Sequence, residues 1–267
     1  MIPAADPATE GAPVRRLTAS VIGRRKGKVR FPVITAYDAP FAKFAQDAGI
    51  DVLLVGDSLG NVVLGYSQTT PVTMNDMIHH AKAVVRGTTR AHIIVDLPFG
   101  SYQASNEDAV GNAVRLVKDG GASSVKLEGG ETAAQRIAAI VDAGIPVVGH
   151  IGVMPQTASL GPGYKVRSDR ARLLNDAHAV EAAGAYAIVL EAVDPLVAAE
   201  ITTELHIPTI GIGAGPSCDA QVLVLHDALG LYGESPSFAK RYADIGASSV
   251  RALHDFAVEV REGRFPL

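Results

Sequence analysis

The chain has 267 residues, of which 48% are hydrophobic and 19% are charged, and its formal net charge is −4. That length and apolar content suit one barrel-sized domain better than two small ones. The basic residues are too scattered for a nucleic-acid-binding face, and no apolar run approaches the roughly 20 residues of a membrane-spanning helix, so we expect neither kind of partner.

The N-terminal residues and the cysteine content bear on domain organisation and location. Residues 1–16 begin with an Ala/Pro/Gly-rich stretch without the basic start and apolar run of a secretory signal, and we expect a disordered tail there. Residues 17–267 are expected to form a single catalytic domain. Cys218 is the one cysteine, which excludes an intrachain disulfide and fits a reducing cytoplasm. We interpret it as a packing residue.

From Phe31 onward, short β-branched runs alternate with helical patterns that mostly end at Ala-Gly or Gly-Gly, where glycine allows a left-handed C-terminal residue. The predicted strands are Pro32–Ala36, Val52–Val55, His92–Val95, Ser124–Leu127, Pro146–Gly149, Ala187–Leu190, Pro208–Ile210 and Val222–Leu225. The predicted helices are Pro40–Ala48, Met74–Arg86, Asn106–Lys118, Thr132–Asp142, Arg170–Ala183, Pro195–Glu204 and a short one near Cys218–Gln221.

Further helices are predicted at the two ends of this repeating region. Leu17–Arg25 is expected to cover the N-terminal mouth of the fold, and Ser237–Ala243 and Ile245–Glu262 are expected to be C-terminal helices. An apolar stripe along Ala247–Val260 requires a packing partner. The last barrel helix, a neighbouring subunit, or both could provide it.

Eight strands alternating with helices predict an α/β fold with a parallel sheet, and eight strands are the number that closes a (β/α)8 TIM barrel. The alternative is an open, doubly wound sheet. No G-x-G-x-x-G motif follows the first strand, which counts against that alternative.

Polar residues stand at the carboxyl ends of nearly all predicted strands, and a parallel barrel gathers these positions around one mouth. They are Tyr37-Asp38, Asp57-Ser58, Asp96, Lys126 with Glu128, His150, Glu191 and Gly211–Gly215. Crowded carboxylates repel one another and are costly to bury unpaired, and a divalent cation removes that cost. Oxygen ligands without cysteine indicate Mg²⁺ rather than zinc.

Each of these residues also has a purely structural interpretation. A single Asp after a strand is often a helix cap, and we interpret Asp76 and Asp194 in that way. His150 could be a hydrogen-bonded core histidine, whereas its place in the ring of polar residues favours substrate contact. Lys126, inside an apolar strand, needs an anionic partner, which a substrate could supply. The glycines Gly211, Gly213 and Gly215 could present N–H groups to a ligand or form tight turns.

At this stage the sequence resembles the 3-methyl-2-oxobutanoate (ketopantoate) hydroxymethyltransferase family from about Leu17 to the end. The matching segments are Ile34–Asp38, Leu54–Gly60, Asp96–Tyr102, Val125–Gly130, Gly149–Gly152, Leu190-Glu191, Ile210–Pro216, Asp219–Val224, Asp227–Leu231 and Gly263–Pro266. The resemblance implies a Mg²⁺-dependent (β/α)8 barrel that assembles as a decamer of two pentameric rings. It also implies transfer of a one-carbon unit from 5,10-methylenetetrahydrofolate to 3-methyl-2-oxobutanoate, giving 2-dehydropantoate, the first committed step of pantothenate synthesis.

Roles carried over from the family place Asp57 and Asp96 at Mg²⁺, with Glu128 nearby. Asp57, Ser58, Asp96, Lys126 and His150 would hold the oxo acid, and Glu191 resembles the residue that transfers the proton. The chain departs from the family pattern between residues 153 and 168, at Val153–Gln156, Pro162-Gly163 and Arg167-Ser168. These departures fall in a long loop that we expect to act as a lid, so they concern loop closure more than chemistry.

Two other functions remain open from the residues alone. A lyase of the phosphoenolpyruvate mutase/isocitrate lyase type would also use Mg²⁺ and stabilise an enolate, but such enzymes usually carry a reactive cysteine on a flexible loop, and Cys218 has no such context. A non-catalytic metabolite-binding barrel is the second alternative. The intact ring of acids, Lys126 and His150 argues against it.

Overall fold

A computed structural model of the chain describes residues 15–158, 160–161, 163–233 and 235–266. Eight parallel strands form one closed barrel in sequence order, and β1 pairs with β8 to complete it. The strands are β1 Phe31–Thr35, β2 Val52–Val55, β3 His92–Asp96, β4 Ser124–Glu128, β5 Val147–Gly152, β6 Ala187–Glu191, β7 Thr209–Ile212 and β8 Ala220–Leu223. The predicted closed barrel is therefore confirmed, and the open sheet is excluded.

Helices connect most of the strands and cover the outside of the barrel. They are α1 Ala19–Gly23, α2 Ala39–Asp47, α3 Leu59–Val62, α4 Met74–Arg86, α5 Asn106–Lys118, α6 Ala134–Asp142, α7 Pro155–Ala158, α8 Arg170–Ala182, α9 Pro195–Glu204, α10 Leu225–Leu229 and α11 Ile245–Arg261. Asp194 caps α9 as predicted, through a bond from Leu196 N to its carboxylate. Ser105 caps α5, accepting a hydrogen bond from Asp108 N.

Alternation along the strands separates two apolar layers. One face of each strand packs against the surrounding helices, with Leu53, Ile93 and Leu127 among the fully buried side chains. The opposite face fills the barrel, where Val33, Leu54, Ile94, Val148 and Val189 lie in one cluster. Burial on both faces explains the almost continuous apolar runs of the sequence.

The N-terminal segment closes the lower mouth of the barrel, as predicted. Ile22 of α1 is 1% exposed and belongs to the cluster inside the barrel. Arg25 forms an ion pair with Asp51 at 2.6 Å. Arg16 was predicted to lie at the end of the disordered tail, but its guanidinium donates to the side chain of Thr88 and to three backbone carbonyls. Residues 1–14 of that tail lie outside the described residues.

Two predicted helices are wrong. The segment near Cys218–Gln221 leads directly into β8, because Ala220 pairs with both Ile210 and Phe31; β8 therefore begins two residues earlier than predicted. Ser237–Ala243 contains only a turn. Its backbone is instead attached to the segment around α10, where Tyr242 N donates to Ala228 O at 2.8 Å.

The C-terminal helix α11 has no buried residue. Its apolar stripe faces solvent, with Val250 68% and Leu253 67% exposed. The predicted apolar stripe is thus present, and its partner is not found among the described residues of the same chain. No described helix has the length and apolar character required to cross a membrane.

Candidate active site

A cavity of about 620 Å³ opens at the carboxyl ends of the strands. Three strands bring a polar residue there by alternation, since a residue two positions after an interior residue points to the same side. Asp96 follows Ile94, His150 follows Val148, and Glu191 follows Val189 in this way. The predicted site residues that line the cavity are Asp57, Ser58, Asp96, Lys126, Glu128, His150, Glu191 and Gly213.

Asp57, Asp96 and Lys126 form the buried base of the site, and each is at most 4% exposed. Asp96 Oδ1 lies 3.1 Å from Lys126 Nζ, and Asp96 Oδ2 accepts a 3.1 Å hydrogen bond from the backbone N–H of Asp57. Burial raises the pKa of Asp57 to about 7, and the charge of Asp96 adds to the rise. Burial lowers the pKa of Lys126, but Asp96 and the other carboxylates raise it more, so the ammonium stays charged.

Gln156, at the start of the predicted lid, connects two of the carboxylates. Its Nε2 donates to Asp57 Oδ2 at 2.8 Å, and its backbone N–H donates to Glu128 Oε2 at 3.1 Å. Tyr102 fixes the amide orientation by donating from its hydroxyl to Gln156 Oε1 at 2.8 Å. The bond from Gln156 N fixes the position of the Glu128 carboxyl group. Burial and the nearby charge of Asp57 raise the pKa of this group.

His150 bridges the base of the site to Glu191. Its Nδ1 lies 3.3 Å from Lys126 Nζ, and its Nε2 lies 3.3 Å from Glu191 Oε2. The ammonium can only donate, so Nδ1 accepts and the ring proton resides on Nε2, facing Glu191. Burial, reinforced by Lys126, lowers the pKa of His150 and favours this neutral ring. The Glu191 side chain is 20% exposed and reaches the open part of the cavity.

Ser58 follows β2 at the edge of the cavity, and its Oγ lies 2.9 Å from the hydroxyl of Tyr37. Of the three glycines predicted to contact a cofactor, Gly213 lines the cavity and Gly211 and Gly215 do not. A Cβ at Gly211 would meet Cys218 Sγ at 2.9 Å, which places that side of β7 on the outside of the barrel. Gly215 has a φ of +78° and serves the tight turn into β8.

The three buried acids Asp57, Asp96 and Glu128 are potential ligands of a divalent cation. Within the described ranges, no three His, Cys, Asp or Glu groups are spaced as a ready-made metal site. Glu128 Oε1 is nevertheless buried without a hydrogen-bond partner, and Asp57 is next to Asp96 through its backbone N–H, which donates to Asp96 Oδ2. Mg²⁺ commonly uses one or two protein carboxylates and completes its shell with water and substrate oxygens. This oxygen-only donor set is therefore chemically compatible with Mg²⁺, for which Asp57, Asp96 and Glu128 would be the candidate ligands.

Sequence reasoning missed Gln156 and Tyr102 as site residues. Tyr102 lies in the loop after β3 and Gln156 in the short helix α7 after β5, and their polar groups face the carboxylates because both segments fold back across the barrel mouth. A polar residue shortly after a strand end is a signal that could have found them, but it does not indicate whether the side chain points into the cavity. Cys218 is 2% exposed, lies outside this cavity, and burial raises its pKa, as suits a packing residue rather than a nucleophile.

Fold and site together define a class of protein: a parallel (β/α)8 barrel with a carboxylate-rich cavity at the carboxyl ends of its strands. Residues 16–267 match the family model described as ketopantoate hydroxymethyltransferase. This chain belongs to that family. It is 54% identical over 242 residues to the 3-methyl-2-oxobutanoate hydroxymethyltransferase of Carboxydothermus hydrogenoformans, covering 89% of this chain and 88% of the relative. The corresponding Ignicoccus hospitalis protein is 53% identical over 250 residues, with coverages of 92% and 95%.

Solved structures with much lower identity share the fold. A phosphonopyruvate hydrolase in complex with oxalate and Mg²⁺ superposes with a TM-score of 0.62 at 15% identity, covering 92% of this chain and 88% of that one. A 2,3-dimethylmalate lyase of the PEP mutase/isocitrate lyase superfamily gives 0.61 at 17% identity, with coverages of 93% and 89%. At these identities the likeness establishes the barrel architecture alone.

Proposed function

We propose that this protein transfers a hydroxymethyl unit from 5,10-methylenetetrahydrofolate to 3-methyl-2-oxobutanoate, giving 2-dehydropantoate and tetrahydrofolate. Family membership supports the reaction. The structural observation that carries it is the convergence of Lys126, His150 and Glu191 on one cavity with the paired Asp57 and Asp96. That cavity offers both charge to bind a 2-oxo acid and a carboxylate to remove a proton from it.

Mg²⁺ is part of the proposal, held by Asp57 and Asp96 with Glu128 nearby. When bound, the cation supplies Lewis-acid polarisation of the oxo acid, which makes its C3–H more acidic. The ammonium group of Lys126 provides a positive charge from the protein itself, and its Nζ faces both Asp96 and His150. In the proposed complex it compensates the substrate carboxylate and the negative charge that develops on proton removal. Ser58 provides a hydroxyl at the cavity edge to bind the same substrate.

Glu191 is the proposed general base. Its carboxylate is the partly exposed one of the cluster, and Oε2 lies 3.3 Å from His150 Nε2. In the proposed mechanism it takes the C3 proton of the oxo acid and leaves an enolate whose C3 attacks the one-carbon unit. Water then supplies the hydroxyl oxygen as the bond between that carbon and the folate nitrogen breaks and tetrahydrofolate leaves. General-base catalysis of this type is typically worth about 10²–10⁴-fold in rate.

The one-carbon donor occupies the rest of the cavity in this proposal. A cavity of about 620 Å³ has the size of pockets that bind drug-sized ligands, which leaves room beside a five-carbon acid. Gly213 is the proposed backbone contact, since it lines this part and has no side chain to obstruct a large ligand. Gly211 and Gly215, placed outside the cavity, act through the shape of the β7–β8 connection.

Assembly into a homo-oligomer, with the family's decamer as the proposed state, is supported by α11. The exposed residues of its stripe include Val250, Leu253, Phe256 and Val260, an apolar face that a second chain would cover. The barrel also has an uncovered outer surface near β8, a cavity of about 670 Å³ whose lining includes Arg30, Pro32 and Gln221.

We further propose that residues 17–267 act as one catalytic domain in the cytoplasm, to which the single cysteine is suited.

The direct test mixes purified protein with the oxo acid, methylenetetrahydrofolate and Mg²⁺ and follows 2-dehydropantoate by mass spectrometry. The expected result is product formation that requires all three additions. Solvent deuterium exchange at C3 of the oxo acid, measured without folate, tests the first half-reaction separately. Exchange without product would indicate an enolate-forming enzyme with another acceptor, and absence of both would reject the proposal.

A further inference from the structure

A fourth buried carboxylate, Asp227, lines the active-site cavity near β1, β8 and the 235–238 turn. It is 5% exposed and belongs to α10. Its neighbours along the cavity wall are Thr35, Val222, Val224 and Phe238. None of the proposed steps at Lys126 or Glu191 uses this residue.

The Asp227 carboxylate is only half satisfied by protein. Oδ1 accepts a 2.9 Å hydrogen bond from the hydroxyl of Tyr232. For Oδ2, the described part of the chain provides no donor, and no ion pair to Asp227 is found there either. A carboxylate in a largely buried position without a cation is costly unless hydrogen-bond donors complete it. Because Asp227 lines the cavity, Oδ2 is available to a donor group of a ligand bound there, in place of water.

The folate that donates the one-carbon unit has hydrogen-bond donors suited to this carboxylate. The pterin ring of a reduced folate carries an N3–H next to a 2-amino group, two parallel donors that match the two oxygens of one carboxylate. That edge lies on the far side of the bicyclic ring from N5, which carries the one-carbon unit. A pterin with its donor edge toward Asp227 therefore points the reactive carbon away from Asp227 and into the cavity that Glu191 and Lys126 also line.

The walls at this end suit a flat ring. Ile212, Val222, Val224 and Phe238 line it with apolar side chains. Gly213 allows the Phe238 ring to approach closely, since a Cβ there would meet the ring at 2.9 Å. Planar heteroaromatic ligands bind in slots of this composition, with a few polar groups fixing orientation.

We propose that Asp227 is the pterin-recognition residue, accepting hydrogen bonds from N3–H and the 2-amino group of the folate. This inference rests on the proposed function, because it needs a folate as the second substrate. Tyr232 is then a positioning residue, which holds Oδ1 and sets the tilt of the carboxylate. The oxo acid makes no contact with either residue.

The test compares wild type, Asp227→Asn, Asp227→Glu and Tyr232→Phe. Substrates are methylenetetrahydrofolate and its analogue in which methyl replaces the 2-amino group. For Asp227→Asn, the KM for the natural folate should rise about 10- to 100-fold, the loss expected for hydrogen bonds to a charged group. The KM for the oxo acid should change less than twofold. Wild type should discriminate strongly against the analogue, and Asp227→Asn should use both folates about equally.

Three outcomes would overturn the inference while leaving the proposed function intact. They are equal rises in both KM values, discrimination against the analogue that survives in Asp227→Asn, and an effect of Tyr232→Phe as large as that of Asp227→Asn. Asp227→Glu should restore part of the preference for the 2-amino group, which guards against a folding defect in the Asn variant. If wild type forms no product from the natural folate, it is the proposed function that fails.

Discussion

Gln156 donates a 2.8 Å hydrogen bond from Nε2 to Asp57 Oδ2 across 99 residues of sequence. The same residue donates from its backbone N–H to Glu128. The first turn of the lid is thus attached to two of the three carboxylates proposed to surround Mg²⁺. We therefore expect the conformation of this loop and the arrangement of the carboxylates to depend on each other.

Replacing Gln156 with Met, which has a similar volume and no amide, should weaken Mg²⁺ binding about 10- to 100-fold, as expected for loss of a partner that orients a ligand. Thr157→Val, on the exposed side of the same turn, is the matched control. Mn²⁺ binding followed by electron paramagnetic resonance measures the affinity without turnover. Equal affinities in the two variants would contradict the coupling.

Asp96→Ala should lose Mg²⁺-dependent turnover while the barrel still folds. It should also lower thermal stability, because Lys126 would lose its 3.1 Å partner in a buried position. Asp96→Asn keeps the side-chain shape and separates the charge effect from the cavity effect. Activity over a Mg²⁺ titration and circular-dichroism melts provide the measurements, and normal Mg²⁺ dependence in either variant would refute the assignment.

Glu191→Gln should slow exchange of the C3 proton of 3-methyl-2-oxobutanoate by about 10²–10⁴-fold, since the amide cannot accept that proton as a base. Proton NMR in deuterated buffer without folate isolates this step. Binding of the oxo acid should change little, because Lys126 and the paired aspartates remain. An unchanged exchange rate would transfer the role of base to another group in the cavity.

The buried His92, at the lower end of the barrel, should make the free energy of unfolding depend on pH. Its ring contacts Leu17 O, Ser124 Oγ and the Tyr186 hydroxyl at 2.8, 2.8 and 2.9 Å. Burial lowers its pKa to about 4, against about 6.5 in an unfolded chain. Between these values the unfolded chain binds the extra proton, so His92 contributes its stability in full above pH 6.5 and loses it as the pH falls toward 4.

The loss over that window should be roughly 3 kcal/mol in the free energy of unfolding. Urea titrations of wild type and His92→Gln at several pH values measure it. The difference between the two proteins isolates His92 from the carboxylates that titrate in the same range. The expected result is that wild type loses more stability than His92→Gln on acidification; parallel pH curves would show that the histidine is not the cause.

We expect the exposed apolar stripe of α11 to form the interface between subunits. Leu253→Glu and Phe256→Glu place charges in the apolar stripe and should break the oligomer into smaller species, since central apolar residues of an interface are often worth about 2 kcal/mol or more each. Arg251→Glu changes a charge on the same exposed helix outside the stripe and serves as the control. Sedimentation velocity gives the size of each species. Identical profiles for all variants would place the interface elsewhere.

Much of the architecture was predictable because it depends on local patterns. The Val/Ile/Leu runs and the glycine helix ends located all eight strands and most helices, and the ring of strand-end residues indicated the cavity. The errors at Cys218–Gln221 and Ser237–Ala243 have a common origin. In both segments the backbone bonds to distant residues, as Ala220 does with Phe31 and Tyr242 does with Ala228, and no local pattern encodes such partners.

The sequence by itself determined the strand count, the closed parallel barrel and the identity of the residues at its catalytic mouth, because alternation and strand ends are properties of neighbouring residues. The tertiary structure alone decided the directions in which side chains from different loops point. Only there does Gln156 reach Asp57, His150 stand between Lys126 and Glu191, and Asp227 enter the same cavity. The physical reason is that hydrogen bonds and burial across large sequence separations depend on how the loops close over the barrel, which the chain settles only when it packs.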